Sequence, residues 1–237
     1  MFDFKDQVIV VTGAAGNLGK AVVNGFLGRR GIVCGLDHRT GRMDEFKTSG
    51  NGGGLFYAFD AVDVTDNANM LSLAEKIQNK VGVVSIVVNT VGGFSMGDPV
   101  HALSAATWQR MMNLNVLSFL NVTAAFVPGM IEGGGGKVIS IGAKAGLHGM
   151  ASAGAYSAAK AALLRLTESM AGELKPNNIQ VNSIIPGIID TPENRSDMPN
   201  ADFGKWVSPE QVTDAILFLS SSAADGITGT ALPVYGR

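Results

Sequence analysis

Short apolar runs recur along the chain and alternate with longer segments of mixed polarity. The runs that we predict to be strands are residues 7–11, 32–36, 55–59, 83–88, 137–141, 179–184 and 228–235. Runs rich in β-branched residues and poor in polar ones are typical of strands buried on both faces of a parallel sheet. The pattern therefore predicts a single α/β domain over residues 1–237, with a parallel sheet of about seven strands.

Between these runs the apolar positions recur with helical spacing. They predict helices over residues 21–27, 68–80, 107–130 and 211–220. The third of these is apolar on nearly all sides and contains the most membrane-like segment, residues 114–131. Asn115 and Asn121 interrupt that segment and Pro128 breaks it, so we expect a buried helix rather than a membrane span. A buried Asn115 then needs a hydrogen-bond partner.

Two segments show no clean periodicity. Residues 48–54 are rich in glycine and are expected to form a flexible link. Residues 190–206 carry two aromatic side chains, Phe203 and Trp206, and we predict that they form a lid over a substrate. A surface loop whose aromatic side chains are tucked into the core is an equally good alternative.

Composition and charge narrow the range of partners. Apolar residues make up 46% of the chain and charged residues 16%, so we expect a buried sheet and subunit contacts, as in a homodimer or homotetramer. A net charge of −2 provides no basic field for nucleic acid or an anionic membrane. The chain leads into a strand without a basic-then-apolar leader, so the cytoplasm is the expected location. Cys34 is expected in the core, and the three histidines lack metal-like spacing, so no metal site is predicted.

A glycine-rich turn separates the first predicted strand from a helix. It reads Thr12-Gly13-Ala14-Ala15-Gly16-Asn17-Leu18-Gly19. Glycines allow a pyrophosphate to approach the backbone N–H groups of the helix N-terminus, where the positive end of the helix dipole favours an anion. The turn predicts a dinucleotide site in a doubly wound, Rossmann-like fold. The residues expected to line it are Gly13, Ala15, Asn17, Leu18 and Gly19.

A second candidate site lies on an alanine-rich helical run, residues 155–163. Tyr156 and Lys160 are four residues apart and share one face of a helix. The pKa of a free tyrosine is near ~10, so acid–base work at neutral pH requires lowering it by about 3 units. An ammonium group one turn away supplies part of that shift. The alternative is a chance pair, with the phenol half-buried and the amine in solvent.

A Tyr-x-x-x-Lys motif after such a turn resembles the short-chain dehydrogenase/reductase family, and the resemblance covers the whole chain. It implies an oxidoreductase that moves hydride between NAD(P) and a small-molecule substrate. It also implies that Tyr156 is the acid or base, that Lys160 lowers its pKa and holds the ribose, and that Asn115 carries a water relay. The further cofactor contacts that it implies are Asp37, Asp63, Val64, Asn89, Gly92, Pro186, Ile189 and Thr191.

The second predicted strand ends in an acid, which bears on the choice between NAD and NADP. In a dinucleotide fold, Asp37 would accept hydrogen bonds from the ribose hydroxyls and repel a 2′-phosphate, which favours NAD. Arg39 and Arg42 follow closely and could contact a 2′-phosphate, so NADP is not excluded.

Two positions depart from the family pattern. Asn17 stands where the family has its middle glycine, and we expect it to tolerate the positive φ of that position. Ala143 stands thirteen residues before Tyr156, where the family has a serine that holds the substrate oxygen. Ser140 lies on the opposite face of its strand and is not expected to replace it. Losing one such donor costs about 3 kcal/mol of transition-state stabilisation.

The missing serine leaves three interpretations open. Residues 141–146 and 190–206 resemble the dihydropteridine reductase group, which also has alanine there, uses NADH and reduces a quinonoid ring without forming an alkoxide. This favours a small, readily reduced substrate, such as a quinonoid dihydropteridine. The alternatives are a carbonyl or alcohol dehydrogenase in which water replaces the serine, and a catalytically silent NAD-binding sensor.

Overall fold

The protein is built around one parallel sheet of seven strands, seen in a computed structural model that describes residues 2–47 and 52–236. The strands are β1 Val8–Thr12, β2 Ile32–Leu36, β3 Leu55–Phe59, β4 Val84–Asn89, β5 Gly136–Ile141, β6 Ile179–Pro186 and β7 Ala231–Val234. All seven predicted strands are confirmed. Most of the predicted flexible link, residues 48–54, lies outside the described residues.

The strand order β3-β2-β1-β4-β5-β6-β7 gives the sheet a doubly wound topology. Strand β1 pairs in parallel with both β2 and β4, with Thr12 opposite Leu36 on one side and Asn89 on the other. The chain therefore reverses its direction of progress across the sheet between β1 and β4. In open α/β sheets, the crevice beyond the carboxyl ends of the strands at this reversal is where ligands bind.

Helices cover both faces of the sheet. They are α1 Asn17–Leu27, α2 Asp44–Lys47, α3 Asn67–Lys80, α4 Ala105–Met112, α5 Ser118–Glu132, α6 Gly154–Leu174, α7 Pro192–Asp197 and α8 Pro209–Ser220. Helices α1 and α8 pack against each other on one face, where Ile9 and Val11 point. Helices α3, α5 and α6 contribute to the core on the other face, which receives Val8 and Val10. Strands buried on both faces explain why the strand sequences are almost continuously apolar.

Side-chain caps define where two of the helices begin. Asp66 accepts a hydrogen bond from the backbone N–H of Asn69 at 3.1 Å and so caps α3. Ser208 and Gln211 form a reciprocal capping box at the start of α8, and Pro209 occupies the first turn. These caps satisfy backbone donors that have no partner within the helix.

The long apolar helix predicted over residues 107–130 runs from Ala105 to Glu132, but it is not a regular α-helix throughout. A π-helical segment, Asn113–Leu117, separates α4 from α5. By length and composition this helix could cross a membrane, yet half of its most apolar stretch is buried inside the domain. Phe119, Val122 and Phe126 pack against the sheet in the core shared with α3 and α6. It is a core helix of the domain.

Candidate active site

The turn after β1 is shaped by its glycines. Gly13 adopts a left-handed conformation with φ of 62°, and the Gly16 N–H donates to the Gly13 carbonyl at 2.9 Å. A Cβ on Gly19 would lie 2.1 Å from the Gly13 carbonyl oxygen, so α1 approaches the turn as closely as only glycine permits. The expectation that Asn17 takes a positive φ is wrong. Asn17 is the first helical residue of α1, and Gly13 supplies the left-handed position.

The first turn of α1 presents free backbone donors toward the crevice side of the turn. Within the described parts of the chain, the N–H groups of Asn17, Leu18 and Gly19 have no hydrogen-bond acceptor. Such groups carry the positive end of the helix dipole, so the turn is suited to an anion.

The acid at the end of β2 is buried and accepts hydrogen bonds from Ala15 and Arg39. The Asp37 carboxylate accepts hydrogen bonds from the backbone N–H of Ala15 at 3.0 Å and from the backbone N–H and Nε of Arg39, both at 3.0 Å. Burial alone would raise the pKa of Asp37, but these hydrogen bonds hold it below its ordinary value. Asp37 is therefore a carboxylate at neutral pH and already partly neutralises Arg39.

A cavity of about 470 Å³ lies between the ends of β1, β2 and β4 and the loop after β3. Asp37, Asp63 and Val64 are among its lining residues. Asp63 accepts from the N–H of Thr65 at 2.8 Å and from its hydroxyl at 2.7 Å, and the pKa of Asp63 is lowered chiefly by these bonds. The Nδ2 group of Asn121 donates to the Val64 carbonyl at 3.1 Å and fixes the loop to α5.

The end of β4 is tied to β1 by side chains. The Thr12 hydroxyl donates to Asn89 Oδ1 at 2.7 Å, and the Thr90 hydroxyl donates to the Thr12 carbonyl at 2.7 Å. Asn89 Nδ2 is buried and is one of four buried side-chain atoms in the described chain that lack a protein partner. An orphaned buried donor beside the crevice indicates a place for a ligand acceptor.

The π-helical segment places Asn115 against the loop that follows β4. Its Nδ2 donates to the carbonyls of Met111 at 2.9 Å and Gly93 at 3.0 Å, and its Oδ1 accepts from the Gly93 N–H at 3.1 Å. The Asn115 side chain is fully buried, and these hydrogen bonds are the partners that a buried amide needs. One lone pair of Oδ1 remains for a further donor. A Cβ on Gly92 would lie 2.9 Å from this oxygen and 3.2 Å from Lys160 Nζ, so glycine avoids a side chain that would crowd both atoms.

Helix α6 brings Tyr156 and Lys160 to the same edge of the sheet. The Lys160 amine is buried, with the residue 5% exposed, and donates to the Ile141 carbonyl at 2.7 Å. This excludes the alternative in which the amine lies in solvent. Burial lowers the pKa of Lys160 to about 8. Lys160 Nζ lies 5.9 Å from the centre of the Tyr156 ring.

The pKa of Tyr156 differs in direction from the value expected from the sequence. Burial raises it to about 12, because desolvation penalises the phenolate and the neighbouring amine does not compensate for it. In the protein without a bound cofactor, Tyr156 is therefore a protonated phenol. The ring of Phe94 packs edge-on against it, with ring centres 5.0 Å apart.

The position of the missing serine lies just beyond β5. Ala143 has extended backbone and carries no donor, as its sequence dictates. Ser140 bonds to the Thr167 hydroxyl at 3.2 Å and is fully buried, which confirms that it does not replace the serine.

The segment predicted to be a lid begins after β6. Pro186 ends that strand, Ile189 forms an isolated bridge with Val207, and the Thr191 hydroxyl accepts from the Asn194 N–H at 3.2 Å to cap α7. The rings of Phe203 and Trp206 lie 4.8 Å apart and both are half-buried. Neither ring belongs to the buried core, so the alternative that tucks them into it is wrong. The role of this segment as a lid stays a prediction.

These features fit a dinucleotide. The free N–H groups of α1 and the orphaned Nδ2 of Asn89 suit the acceptor atoms of a pyrophosphate and its flanking sugars, and Gly19 lets α1 pack closely against the turn that presents those N–H groups. The contacts that Asn121, Thr12 and Phe94 make at the site were not predicted from the sequence. A polar residue within an apolar helix was the available signal for Asn121.

Within residues 2–47 and 52–236, no three His, Cys, Asp or Glu side chains are grouped to hold a metal ion.

Comparison with known proteins gives consistent matches. The family model described as short chain dehydrogenase matches residues 7–202. The chain is 28% identical to 2-(S)-hydroxypropyl-CoM dehydrogenase 3 of Xanthobacter autotrophicus, over 98% of this chain and 96% of that protein. It is 29% identical to the 3-oxoacyl-[acyl-carrier-protein] reductase FabG of Thermotoga maritima, over 97% and 96%.

Solved structures agree with the fold. A short-chain type dehydrogenase/reductase from Mycobacterium ulcerans superposes with a TM-score of 0.92 at 26% identity, covering 98% of this chain and 89% of that one. L-sorbose reductase from Gluconobacter frateurii, solved with NADPH and L-sorbose, gives a TM-score of 0.90 at 25% identity over 99% and 97%. None of these four proteins is named as a dihydropteridine reductase, so that narrower resemblance remains a prediction.

Proposed function

The chain belongs to the short-chain dehydrogenase/reductase family and is an NAD(P)-dependent oxidoreductase, and we propose that it reduces a small, readily reduced substrate with Tyr156 as proton donor. One observation carries the proposal. Asn115 Oδ1 and Lys160 Nζ both lie beside Gly92, and the centre of the Tyr156 ring lies 5.9 Å from the same amine. The bound nicotinamide supplies the hydride, and the side chains of this chain supply the proton and hold the reacting groups.

Tyr156 is suited to donate a proton in the reductive direction. Since burial raises its pKa to about 12, it is protonated throughout the neutral range. A proton lost to substrate must be replaced, and Lys160 together with a water on the remaining lone pair of Asn115 Oδ1 offers the route. Lys160 would hold the ribose hydroxyls of the cofactor with its amine, which in this structure donates to the Ile141 carbonyl. The amine then acts on the phenol as the family resemblance implies.

We propose NAD rather than NADP as the cofactor. The Asp37 carboxylate lies where the ribose hydroxyls of a dinucleotide would be bound and would repel a 2′-phosphate. Arg39, which could otherwise bind that phosphate, already donates to Asp37. The remaining predicted contacts, Pro186, Ile189 and Thr191, would serve the nicotinamide end.

Ala143 favours a substrate that forms no alkoxide. A ring nitrogen that accepts hydride develops no oxyanion, so the missing hydroxyl costs nothing in that reaction, whereas it costs about 3 kcal/mol in ketone reduction. A quinonoid dihydropteridine is therefore the first substrate to test. The second candidate is a carbonyl or alcohol dehydrogenase with water in place of the serine, and the names of the FabG and hydroxypropyl-CoM dehydrogenase relatives favour it.

The assay follows NADH absorbance with a quinonoid dihydropterin and with a panel of ketones. Turnover of the pterin alone supports the first candidate, turnover of ketones alone supports the second, and binding of NADH without any turnover indicates a silent sensor. Tyr156→Phe should bind NADH as the wild type does and lose at least about 10²-fold in turnover, because general acid catalysis contributes that much. Tyr57→Phe, on β3, is the matched control. Unchanged turnover in Tyr156→Phe would rule out Tyr156 as the acid.

We also propose a cytoplasmic homodimer or homotetramer formed through the outer side of the long apolar helix. Leu117, Leu120 and Ile131 on this helix are 37–41% exposed. Light scattering of the wild type against Leu120→Lys tests it. The charged variant should shift toward the monomer, since a charge in an apolar contact is costly.

A further inference from the structure

A side-chain hydrogen bond joins the predicted lid to the glycine turn. Asn17 Nδ2, at the start of α1, donates to Glu193 Oε2, on α7, at 2.5 Å. The two residues are 176 positions apart in sequence. Asn17 is also the residue that stands in place of the family's middle glycine, so the chain departs from the pattern where this contact forms.

The contact holds a negative charge at the anion-attracting end of α1. Hydrogen bonds from its own backbone N–H and from Asn17 hold the pKa of Glu193 below its ordinary value, so it is ionised at neutral pH. The positive charge of Arg39 also lowers the pKa of Glu193, by a smaller amount than the hydrogen bonds. A carboxylate in this place benefits from the helix dipole, as a pyrophosphate would.

We propose that Glu193 is a resident anion at the pyrophosphate site, that Asn17 holds it there, and that an incoming dinucleotide must displace it. The inference rests on the proposed function, since it concerns the affinity of that cofactor. Two anions at one helix terminus repel each other, so the carboxylate weakens cofactor binding and its departure frees α7 and the residues that follow. Asn17 and Glu193 are thus positioning residues that set cofactor affinity and couple it to the predicted lid.

The test measures the Kd of NADH by fluorescence with Glu193→Gln. Glutamine can still accept from Asn17 but carries no charge, so we expect a Kd roughly twofold to fivefold below that of the wild type, the size typical of one exposed charge. The ratio of the two Kd values should shrink at high salt, because exposed charges are screened. Asp197→Asn, on the same helix, removes a charge without touching α1 and should leave Kd unchanged.

Asn17→Ala provides an independent variant. It releases the carboxylate, so it should also lower Kd, and it should have almost no further effect in a Glu193→Gln background. A Kd that is unchanged or higher in Glu193→Gln would overturn the proposal, and a higher value in both variants would mean that the contact retains cofactor instead. If the wild type does not bind NADH, the proposed function fails rather than this inference. Thermal unfolding without NADH checks that each variant is folded.

Discussion

Replacing Lys160 by methionine should change the pH dependence of stability in a defined way. Lys160 is buried, and its pKa falls from 10.5 in the unfolded chain to about 8 in the folded protein. The difference of 2.5 pKa units corresponds to about 3 kcal/mol that the charged amine costs the folded protein at neutral pH. The hydrogen bond to the Ile141 carbonyl offsets part of this cost.

The sign follows from proton binding. Between pH 8 and pH 10.5 the unfolded chain holds a proton at Lys160 that the folded protein has lost, so the wild type gains stability as pH rises. Lys160→Met lacks this group. The free energy of unfolding of the wild type, relative to the variant, should therefore rise by about 2 kcal/mol between about pH 6.5 and about pH 9.5.

Urea unfolding followed by circular dichroism, on both proteins at each pH, measures this difference. Losing the bond to Ile141 lowers the stability of the variant equally at every pH and does not affect the slope. A difference that stays constant across the pH range would refute the reasoning, because it would mean that Lys160 is not desolvated. A lysine kept at a cost in stability and required for turnover would mark this position as functional.

Three further predictions concern the same site. Gly19→Ala should raise the Kd of NADH at least about tenfold, because the new Cβ would lie 2.1 Å from the Gly13 carbonyl oxygen. Gly149→Ala is the control, because a Cβ there meets nothing within 4 Å. Equal Kd values for the two variants would contradict the turn geometry. Ala143→Ser should raise ketone reduction about tenfold or more, measured as kcat/KM, and no gain would mean that the missing donor does not limit that reaction. Without cofactor, the Tyr156 phenol should stay protonated to above about pH 11. The measurement is the difference in phenolate absorbance between the wild type and Tyr156→Phe as pH rises. Ionisation of Tyr156 below about pH 9 would contradict its burial.

The strands and most of the helices were predictable because the hydrophobic pattern of each segment matches the faces that the segment buries in the fold. The run over residues 32–36 is apolar because both faces of the sheet are covered, and it forms a strand of those bounds. The π-helical segment was not predictable, because an extra residue in one turn hardly disturbs the periodicity of a helix that is apolar on nearly all sides. The segment contains Asn115, whose hydrogen bonds to Gly93 join residues 22 positions apart.

The sequence indicated that some residues of the candidate site lie close together, but it did not indicate their electrostatics. The spacing of Tyr156 and Lys160 places both on one helix face, but it does not reveal that the amine is turned to the Ile141 carbonyl. Desolvation by the surrounding fold therefore reverses the expected direction of the tyrosine pKa. The hydrogen bond between Asn17 and Glu193 joins segments that are distant in sequence, and the spacing of residues along the chain does not predict such a pair.

The π-helical segment sets how far α5 is rotated about the helix axis relative to α4. Upstream of it α4 packs on α6, and downstream α5 packs on α3, so the helix presents different faces to different neighbours. Deleting one residue from 113–117 would restore a regular α-helix and rotate everything beyond by about 100°. Asn121 would then lose the loop after β3 while Asn115 kept the loop after β4. The extra residue of the π-helical segment thus lets Asn115 bind the loop after β4 while Asn121 binds the loop after β3.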